Sequence, residues 1–343
     1  MTKSRFIVSK SKLLRQYQTL KDMDLIVSYS LKTFPEIAWV LEENTDSFFL
    51  VHMLQSLRFI KDMRRVWFLG QAWNFGSLNY LFDRGIKNFI VDNERDLRTL
   101  LKYLENRDDR INLLLRMRMK EHTIYTGKYF VFGMYSHQIN DLIPKLRKNK
   151  SVNELGIHFH RKTQNIGEWS IKEEISQALK KETLENIDVF NIGGGLPVKY
   201  KNSSDINLKF IFEKILEFKK WLRENYGIKT MIEPGRFIAA PCTKLETEII
   251  AIHGNNIIVD ASVYNSDMDA LIYSLRLLVE GETDDGEPYV IKGCTPCSMD
   301  IFRYRVKLKN PKVGDKIVFL NAGAYNFTTD FCNLPKLDIV FVD

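Results

Sequence analysis

Short apolar runs alternate with stretches of helix length over the first two thirds of the chain. Eight of these runs have the length and the apolar, β-branched or aromatic content of buried strands. They cover residues 25–29, 48–52, 66–69, 89–92, 111–116, 155–160, 189–192 and 230–233. Between them, residues 94–104 and 208–225 place apolar side chains three and four positions apart, which predicts amphipathic helices. This alternation is typical of a parallel sheet covered by helices.

The number of strands favours a closed (β/α)8 barrel over an open sheet, and we place the barrel at residues 11–242. After Lys244 the pattern changes to strand-like runs without intervening helices. These runs cover residues 245–252, 256–260, 289–292, 303–309, 316–320 and 337–342. We therefore predict that residues 243–343, together with residues 1–10, form an antiparallel β-domain.

The composition of the 343 residues is that of a globular protein, with 45% hydrophobic and 27% charged side chains. The first residues lack the apolar stretch of a signal peptide, and no apolar run approaches the roughly 20 residues that span a bilayer. The sequence thus predicts a cytoplasmic protein without a membrane partner.

The net charge of +7 does not point to nucleic acid, because the basic runs at residues 145–150 and 219–223 fall in helix-like patterns. Such runs are usually solvated helix faces. The charge favours an anionic cofactor or substrate instead.

Four cysteines lie in the last third of the chain, and Cys294 and Cys297 form a CxxC pair. A zinc site usually needs a second pair or nearby histidines, and no histidine follows His253. We expect reduced thiols and no metal.

In a (β/α)8 barrel, reactive residues lie where the strands end at their carboxyl side. Lys32 follows the first predicted strand, and a lysine at a barrel mouth can form a Schiff base with a carbonyl. His160 ends the sixth predicted strand, on the same face as His158. Glu233 ends the eighth and would bring a carboxylate into the mouth.

The loops after strands seven and eight are the usual phosphate site of this fold. Gly193, Gly194 and Gly195 follow the seventh strand and can aim backbone N–H groups at an anion. Gly235 and Arg236 follow the eighth and can add a backbone donor and a guanidinium. A ligand with an aldehyde for Lys32, a flat ring for His160, a ring nitrogen for Glu233 and a phosphate would satisfy all four groups. Pyridoxal 5'-phosphate (PLP) is such a ligand.

With these motifs the sequence resembles the fold-type III PLP decarboxylases, which include ornithine, diaminopimelate, arginine and carboxynorspermidine decarboxylases. The resemblance runs from about residue 5 to the C-terminus and implies an alanine-racemase-like barrel followed by a β-domain. It implies that Lys32 holds PLP, that His160 stacks on its ring and that Thr163 meets its phosphate. Tyr325, in Gly323-Ala324-Tyr325, resembles the tyrosine that completes the phosphate site.

The resemblance also implies a reaction. Related racemases place an arginine beside the pyridine nitrogen, whereas Glu233 would keep that nitrogen protonated and so favour loss of CO2. The proton donor of the family is a cysteine, here either Cys294 or Cys297. We favour Cys297, supplied by the partner subunit of a homodimer. Leu50 and Ser56 depart from the family, because ornithine decarboxylases carry acidic residues there.

The residues that bind the distal end of the substrate in relatives differ in this chain. Ser274 stands where ornithine decarboxylases hold a distal amine with an aspartate, and Tyr273 where diaminopimelate decarboxylases carry an arginine. Asp267 and Asp300 are further candidates to bind a distal amine. We therefore expect a diamino acid or a carboxylated polyamine, from polyamine, lysine or siderophore synthesis.

Three alternatives stay open at this point. The first is a non-catalytic homologue that binds a protein partner, the second is an amino-acid racemase, and the third is a barrel without cofactor.

Overall fold

The computed structural model describes residues 3–119 and 132–343. These residues form two compact units. One, the barrel unit, comprises Tyr17–Pro197 and Asn207–Gly235. The other, the β-unit, comprises Met1–Gln16, Val198–Ile206 and Arg236–Asp343. The domain bounds predicted from the sequence, 11–242 for the barrel, stay a prediction.

The chain begins with strand β1 (Arg5–Ser9) and helix α1 (Lys10–Lys21). Eight parallel strands then close into a barrel in sequence order, with the last strand pairing with the first. This confirms the predicted (β/α)8 fold. The barrel strands are β2 (Ile26–Ser30), β3 (Phe48–Val51), β4 (Val66–Phe68), β5 (Asn88–Val91), β6 (Ile111–Arg116), β7 (Val152–His158), β8 (Val189–Asn191) and β9 (Lys229–Ile232).

Alternate residues of the barrel strands fill the barrel interior, as the two-residue period of a strand requires. Trp67, on β4, is the largest of these buried side chains. Gly156 makes room for them, since a Cβ there would lie 2.6 Å from Leu114 Cδ2 and 2.1 Å from the Val189 carbonyl oxygen. The buried cluster consists of Leu50, Trp67, Leu69, Ile90, Leu114, Val189 and Met231, with Ile26 and Phe48 packed against it.

Helices connect the barrel strands, and their ends follow from local sequence. Asn93 caps α4 (Glu94–Leu104) by accepting a hydrogen bond from Asp96 N, at 2.9 Å. Helix α8 (Leu208–Tyr226) ends at Gly227, whose φ of +70° a glycine adopts without strain. Both helices confirm the predicted ones. The others are α2 (Ala38–Asn44), α3 (Phe75–Asp83), α5 (Ser136–Leu146), α6 (Ile171–Ala178) and α7 (Lys181–Glu185), with α9 (Arg236–Ala239) after β9.

The β-unit holds seven strands after α9 and two short helices. Its elements are β10 (Thr243–His253), β11 (Asn256–Val259), α10 (Val263–Ser266), α11 (Asp269–Ile272), β12 (Leu278–Val279), β13 (Glu287–Lys292), β14 (Ile301–Leu308), β15 (Lys316–Leu320) and β16 (Asp338–Val342). Long β10 pairs with β1, β11 and β15 and so joins the sheet together.

The predicted β-domain is confirmed, and most of its strand pairs are antiparallel, while two are parallel. Strand β1 runs parallel to β16, and β11 runs parallel to β13, so the sheet is mixed. The sequence pattern also overlooked β1 and β12. Strand β1 is five residues long, and its partners lie more than 200 residues away along the chain. The sheet nevertheless buries one continuous apolar cluster, which includes Leu245, Ile291 and Phe319.

Within the two described ranges, no helix combines the length and the apolar character needed to cross a bilayer.

Candidate active site

A polar layer follows the apolar interior at the carboxyl ends of the barrel strands. Side chains two residues apart on a strand face the same side. The inward-facing residues Leu50, Ile90, Leu114, Val189 and Met231 are each followed two positions later by a polar residue. These are His52, Asp92, Arg116, Asn191 and Glu233. The strand pattern thus collects titratable groups at one end of the barrel.

Lys32 lies in this part of the barrel unit, although it does not itself belong to a strand. Strand β2 ends at Ser30, and Lys32 lies in the 3-10 turn Leu31–Thr33. This turn contacts β3, which pairs with β2 at Ser30 and Leu50. Lys32 is exposed, yet protein atoms crowd its amine. This desolvation lowers the pKa of Lys32, and the charge of Arg116 lowers it further, while Glu233 opposes both.

Glu233 is the most enclosed acid of the layer. It is buried, and its carboxylate accepts hydrogen bonds from His158 Nε2 at 2.9 Å and from Asn191 Nδ2 at 2.7 Å. Burial alone would raise the pKa of Glu233. The two hydrogen bonds and the His158 charge outweigh burial, so the pKa is lowered and the group stays ionised.

His160 lies two residues beyond the end of β7, with its ring fixed by the backbone. Gly194 N donates to His160 Nδ1 at 3.2 Å, so Nδ1 carries no proton and the neutral ring holds its proton on Nε2. Burial lowers the pKa of His160 to about 3, and the charges of Lys32 and Arg116 act in the same direction. The imidazole is therefore neutral at physiological pH.

The three glycines after β8 pack tightly against neighbouring backbone. Gly193 and Gly195 have φ values of +66° and +104°, and a Cβ on Gly193 would lie 2.2 Å from the Phe159 carbonyl oxygen. Gly193 N donates to Asn191 Oδ1 at 2.9 Å, and Gly194 N to His160. Two of the three amides thus hold polar side chains of the layer in place, and their role as phosphate ligands stays a prediction.

Thr163 and Gly235 are two further residues that the sequence assigns to the phosphate. Thr163 lies in the segment after β7, which reaches the glycine loop where Asn165 N donates to the Gly195 carbonyl oxygen at 2.8 Å. Gly235 lies so close to Thr33 that a Cβ would meet Thr33 Oγ1 at 2.1 Å. Both residues therefore belong to the same end of the barrel unit as Lys32.

Arg236 and Tyr325 belong to the β-unit, where Arg236 is deeply buried. Its guanidinium donates to Tyr200 Oη at 2.9 Å, forms an ion pair with Asp269 and lies 5.1 Å from the Tyr325 ring centre. Burial opposes the charge, but Tyr200 and Asp269 outweigh it and raise the pKa of Arg236. Arg236 and Tyr325 thus lie together, and their role at a phosphate stays a prediction.

The two cysteines of the CxxC pair differ in their surroundings. Cys297 Sγ lies 3.1 Å from Tyr264 Oη, whereas Cys294 is more exposed. The hydrogen bond to Tyr264 lowers the pKa of Cys297, and desolvation raises the pKa of Cys294. Of the two thiols, Cys297 is thus the more acidic.

The four candidates for substrate binding lie in the β-unit, two of them buried and two exposed to solvent. Asp300 is fully buried, and its carboxylate accepts from Val263 N at 2.9 Å and from Thr295 N and Oγ1, so its role there is to hold a loop together. Asp267 is also buried, and burial together with the Asp269 charge raises its pKa to about 8. Tyr273 and Ser274 are exposed after α11, where Ser274 has a φ of +54°.

Four polar residues of the layer escaped the sequence analysis. Asn191 bonds Glu233, and Arg116 pairs with Asp92 at 3.3 Å. His52 has a buried Nδ1 for which the described part of the chain offers no hydrogen-bond partner. Each is a polar residue at or just after the end of an otherwise apolar strand, and that position is the signal that could have identified it.

The chain matches a family whose description is "Pyridoxal-dependent decarboxylase, pyridoxal binding domain", over residues 51–240. It is 24% identical over 322 residues to 2-[(L-alanin-3-ylcarbamoyl)methyl]-2-hydroxybutanedioate decarboxylase of Staphylococcus aureus, covering 82% of this chain and 78% of that protein. It is 22% identical over 353 residues to diaminopimelate decarboxylase of Helicobacter pylori, covering 96% of this chain and 86% of the relative.

A solved structure has the same fold. The lysine/ornithine decarboxylase of Vibrio vulnificus, complexed with cadaverine, superposes with a TM-score of 0.79 at 20% identity, over 99% of this chain and 93% of that one. The family match covers more than half of the chain and includes Asn191 and Glu233. The chain therefore belongs to the pyridoxal-dependent decarboxylase family, and it is a PLP-dependent carboxy-lyase.

Proposed function

We propose that this enzyme removes the α-carboxylate of a diamino acid, or of a related compound with a second amine or carboxylate, and that Lys32 and Glu233 are its central residues. One observation carries the proposal. A lysine with a lowered pKa and a buried, ionised glutamate lie at the same end of one closed barrel and interact electrostatically.

The residues at this end fit PLP in their chemistry. Lys32 offers an amine for an aldehyde, and its lowered pKa enlarges the neutral fraction that can attack a carbonyl. Glu233 offers a negative charge suited to a protonated ring nitrogen, and His160 offers the face of a neutral ring. We assign Lys32, His160 and Glu233 to hold the cofactor, with Thr163, Gly193, Gly194, Gly195, Gly235, Arg236 and Tyr325 at its phosphate.

Bound PLP supplies an electron sink for the pair left on the α-carbon when CO2 departs. Glu233 keeps a proton on the ring nitrogen, and the hydrogen bonds from His158 and Asn191 keep Glu233 ionised for that task. Cys297 then donates its proton to the α-carbon. We propose that this thiol reaches the substrate in a homodimer, as the family resemblance implies.

The substrate proposal rests on the relatives. Their names include decarboxylases of diaminopimelate, of lysine or ornithine, and of 2-[(L-alanin-3-ylcarbamoyl)methyl]-2-hydroxybutanedioate. All these substrates carry a polar group distant from the carboxylate that leaves. Because Asp300 is committed to its own loop, Asp267, Tyr273 and Ser274 are the remaining sequence-predicted candidates to contact that group.

The test is CO2 release by the PLP-loaded enzyme from lysine, ornithine, arginine, diaminopimelate, carboxynorspermidine and the S. aureus enzyme's substrate. Lys32→Ala should abolish release, while Lys181→Ala, at an exposed lysine of α7, should leave it unchanged. A substrate that is racemised with its carboxylate retained would favour a racemase. Bound PLP without any turnover would favour the non-catalytic regulator.

A further inference from the structure

The loop that carries Cys297 is tied to helix α10 by one buried acid. Asp300 accepts from Val263 N, at the start of α10, and from Thr295 N and Oγ1, just before Cys297. Its backbone N donates to the Cys297 carbonyl oxygen at 3.1 Å. Gly293 leaves the space for this acid, since a Cβ would lie 2.1 Å from Asp300 Oδ1. The loop is thereby held beside α10.

Tyr264, the second residue of α10, is fixed from three directions. Its N donates to Ser262 Oγ at 3.2 Å, and its carbonyl oxygen accepts from Thr329 N at 2.9 Å. Its ring stacks on Phe331 with ring centres 4.0 Å apart. The phenol is therefore held with its hydroxyl 3.1 Å from Cys297 Sγ.

We infer that Tyr264 is a positioning residue for Cys297, and that its hydroxyl stabilises the thiolate left when Cys297 gives its proton to the substrate. This inference rests on the proposed function. In the step, the S–H bond breaks and a C–H bond forms at the α-carbon, with no change of oxidation state. The negative charge moves to the sulfur, where the phenol donates a hydrogen bond, and water later returns the proton.

The chemistry of the pair agrees with that direction of donation. The contact with Cys297, together with burial, raises the pKa of Tyr264 to about 12, so the phenol keeps its proton and can donate. The nearby Asp300 and Cys332 charges act on Tyr264 in the same direction. The same contact lowers the pKa of Cys297 against the opposing effects of desolvation and Asp300. This hydrogen bond also distinguishes Cys297 from Cys294, since among the described residues no hydrogen bond joins Cys294 to Tyr264.

The test measures thiol reactivity, which does not depend on turnover. PLP-loaded enzyme is alkylated with iodoacetamide across a pH range, and peptide mass spectrometry follows Cys294 and Cys297 separately. In the wild type, Cys297 should react at lower pH than Cys294. In Tyr264→Phe, which keeps the ring on Phe331, the midpoint for Cys297 should rise by roughly one pH unit, about tenfold slower reaction near pH 7.

Cys294 in the same sample and Tyr304→Phe, at an exposed tyrosine, are the controls. An unchanged Cys297 midpoint in Tyr264→Phe, or an equal shift of both thiols, would overturn the inference. If Tyr264→Phe folds poorly, Cys297→Ala gives the reciprocal measurement. This substitution should lower the pKa of Tyr264, which ultraviolet absorbance detects as the titration of one tyrosine. An unchanged tyrosine titration would also overturn the inference. Failure of the proposed function would instead appear as no CO2 release with the thiol shift intact.

Discussion

His158 Nε2 lies 2.9 Å from a carboxylate oxygen of Glu233, with both side chains buried at the carboxyl end of the barrel. This geometry requires the proton on His158 Nε2, because an ionised carboxylate can only accept. Asn191 supplies the second donor, and the Gly193 amide orients Asn191. Two hydrogen-bond donors, on His158 and Asn191, thus surround the ionised carboxylate of Glu233.

Asn191→Asp should disable this arrangement. The change places a second carboxylate 2.7 Å from Glu233, where the amide now donates. One of the two acids must then take up a proton, which raises the apparent pKa of the pair. We expect CO2 release to fall by about 100-fold or more and the free energy of unfolding to fall by about 3 kcal/mol.

The matched control is Asn153→Asp, since Asn153 also donates to a neighbouring side chain but is exposed. Turnover assays and denaturant titration of both variants provide the comparison. If Asn191→Asp kept its rate within twofold of the wild type, the role assigned to the Glu233 charge would be wrong.

His52 should make the fold sensitive to acid. Burial lowers the pKa of His52 to about 3, with Lys32, Arg116 and His158 acting in the same direction. Between about pH 3 and 6.5 the unfolded chain therefore binds a proton there that the folded chain does not. The free energy of unfolding should fall as the pH drops through this window.

His52→Gln should reduce that slope by up to about 1.4 kcal/mol per pH unit, measured by urea titration at pH 7, 6 and 5. His253→Gln, at an exposed histidine, should leave the slope as it is. Equal slopes for His52→Gln and the wild type would show that His52 is not buried in its neutral form.

Asp267 should have the opposite pH dependence. Burial and the Asp269 charge raise its pKa to about 8, against an opposing effect of Arg276. The folded chain then retains a proton that the unfolded chain loses above about pH 4, so this group costs stability as the pH rises from 4 to 8.

Asp267→Asn should therefore gain stability relative to the wild type as the pH rises, by about 1–3 kcal/mol between pH 5 and 8. Thermal unfolding at several pH values checks this, with Asp338→Asn at an exposed site of β16 as the control. A stability difference that stays constant with pH would contradict a protonated Asp267. Turnover of the same variant tests whether Asp267 also contacts the substrate.

The barrel was predictable because its strands are apolar on both faces. Runs such as residues 111–116 and 189–192 are recognisable without their partners, and Lys32, His160 and Glu233 were recognised by their place at or just after the end of such runs. The β-unit was less predictable. Whether β11 pairs parallel or antiparallel with β13 depends on chain reversals that no local pattern encodes.

The network around Glu233 required the closed barrel. Asn191 and His158 belong to strands seven and six of the barrel, and their approach to Glu233 depends on register between strands far apart in the chain. The same holds for Tyr264 and Cys297, which are 33 residues apart. As an acid, Asp300 was a reasonable candidate to bind an amine. Only the fold revealed that its carboxylate already accepts hydrogen bonds from two backbone amides and one hydroxyl.

Lys32 is the residue that we expect to bind the cofactor covalently, and chemical trapping identifies that residue. PLP-loaded enzyme is reduced with borohydride, digested and analysed by mass spectrometry for a lysine that carries the pyridoxyl group. We expect the modification on Lys32 and its loss in Lys32→Ala. A pyridoxyl group on another lysine, such as Lys162, or equal labelling of wild type and Lys32→Ala would show that Lys32 does not hold the cofactor.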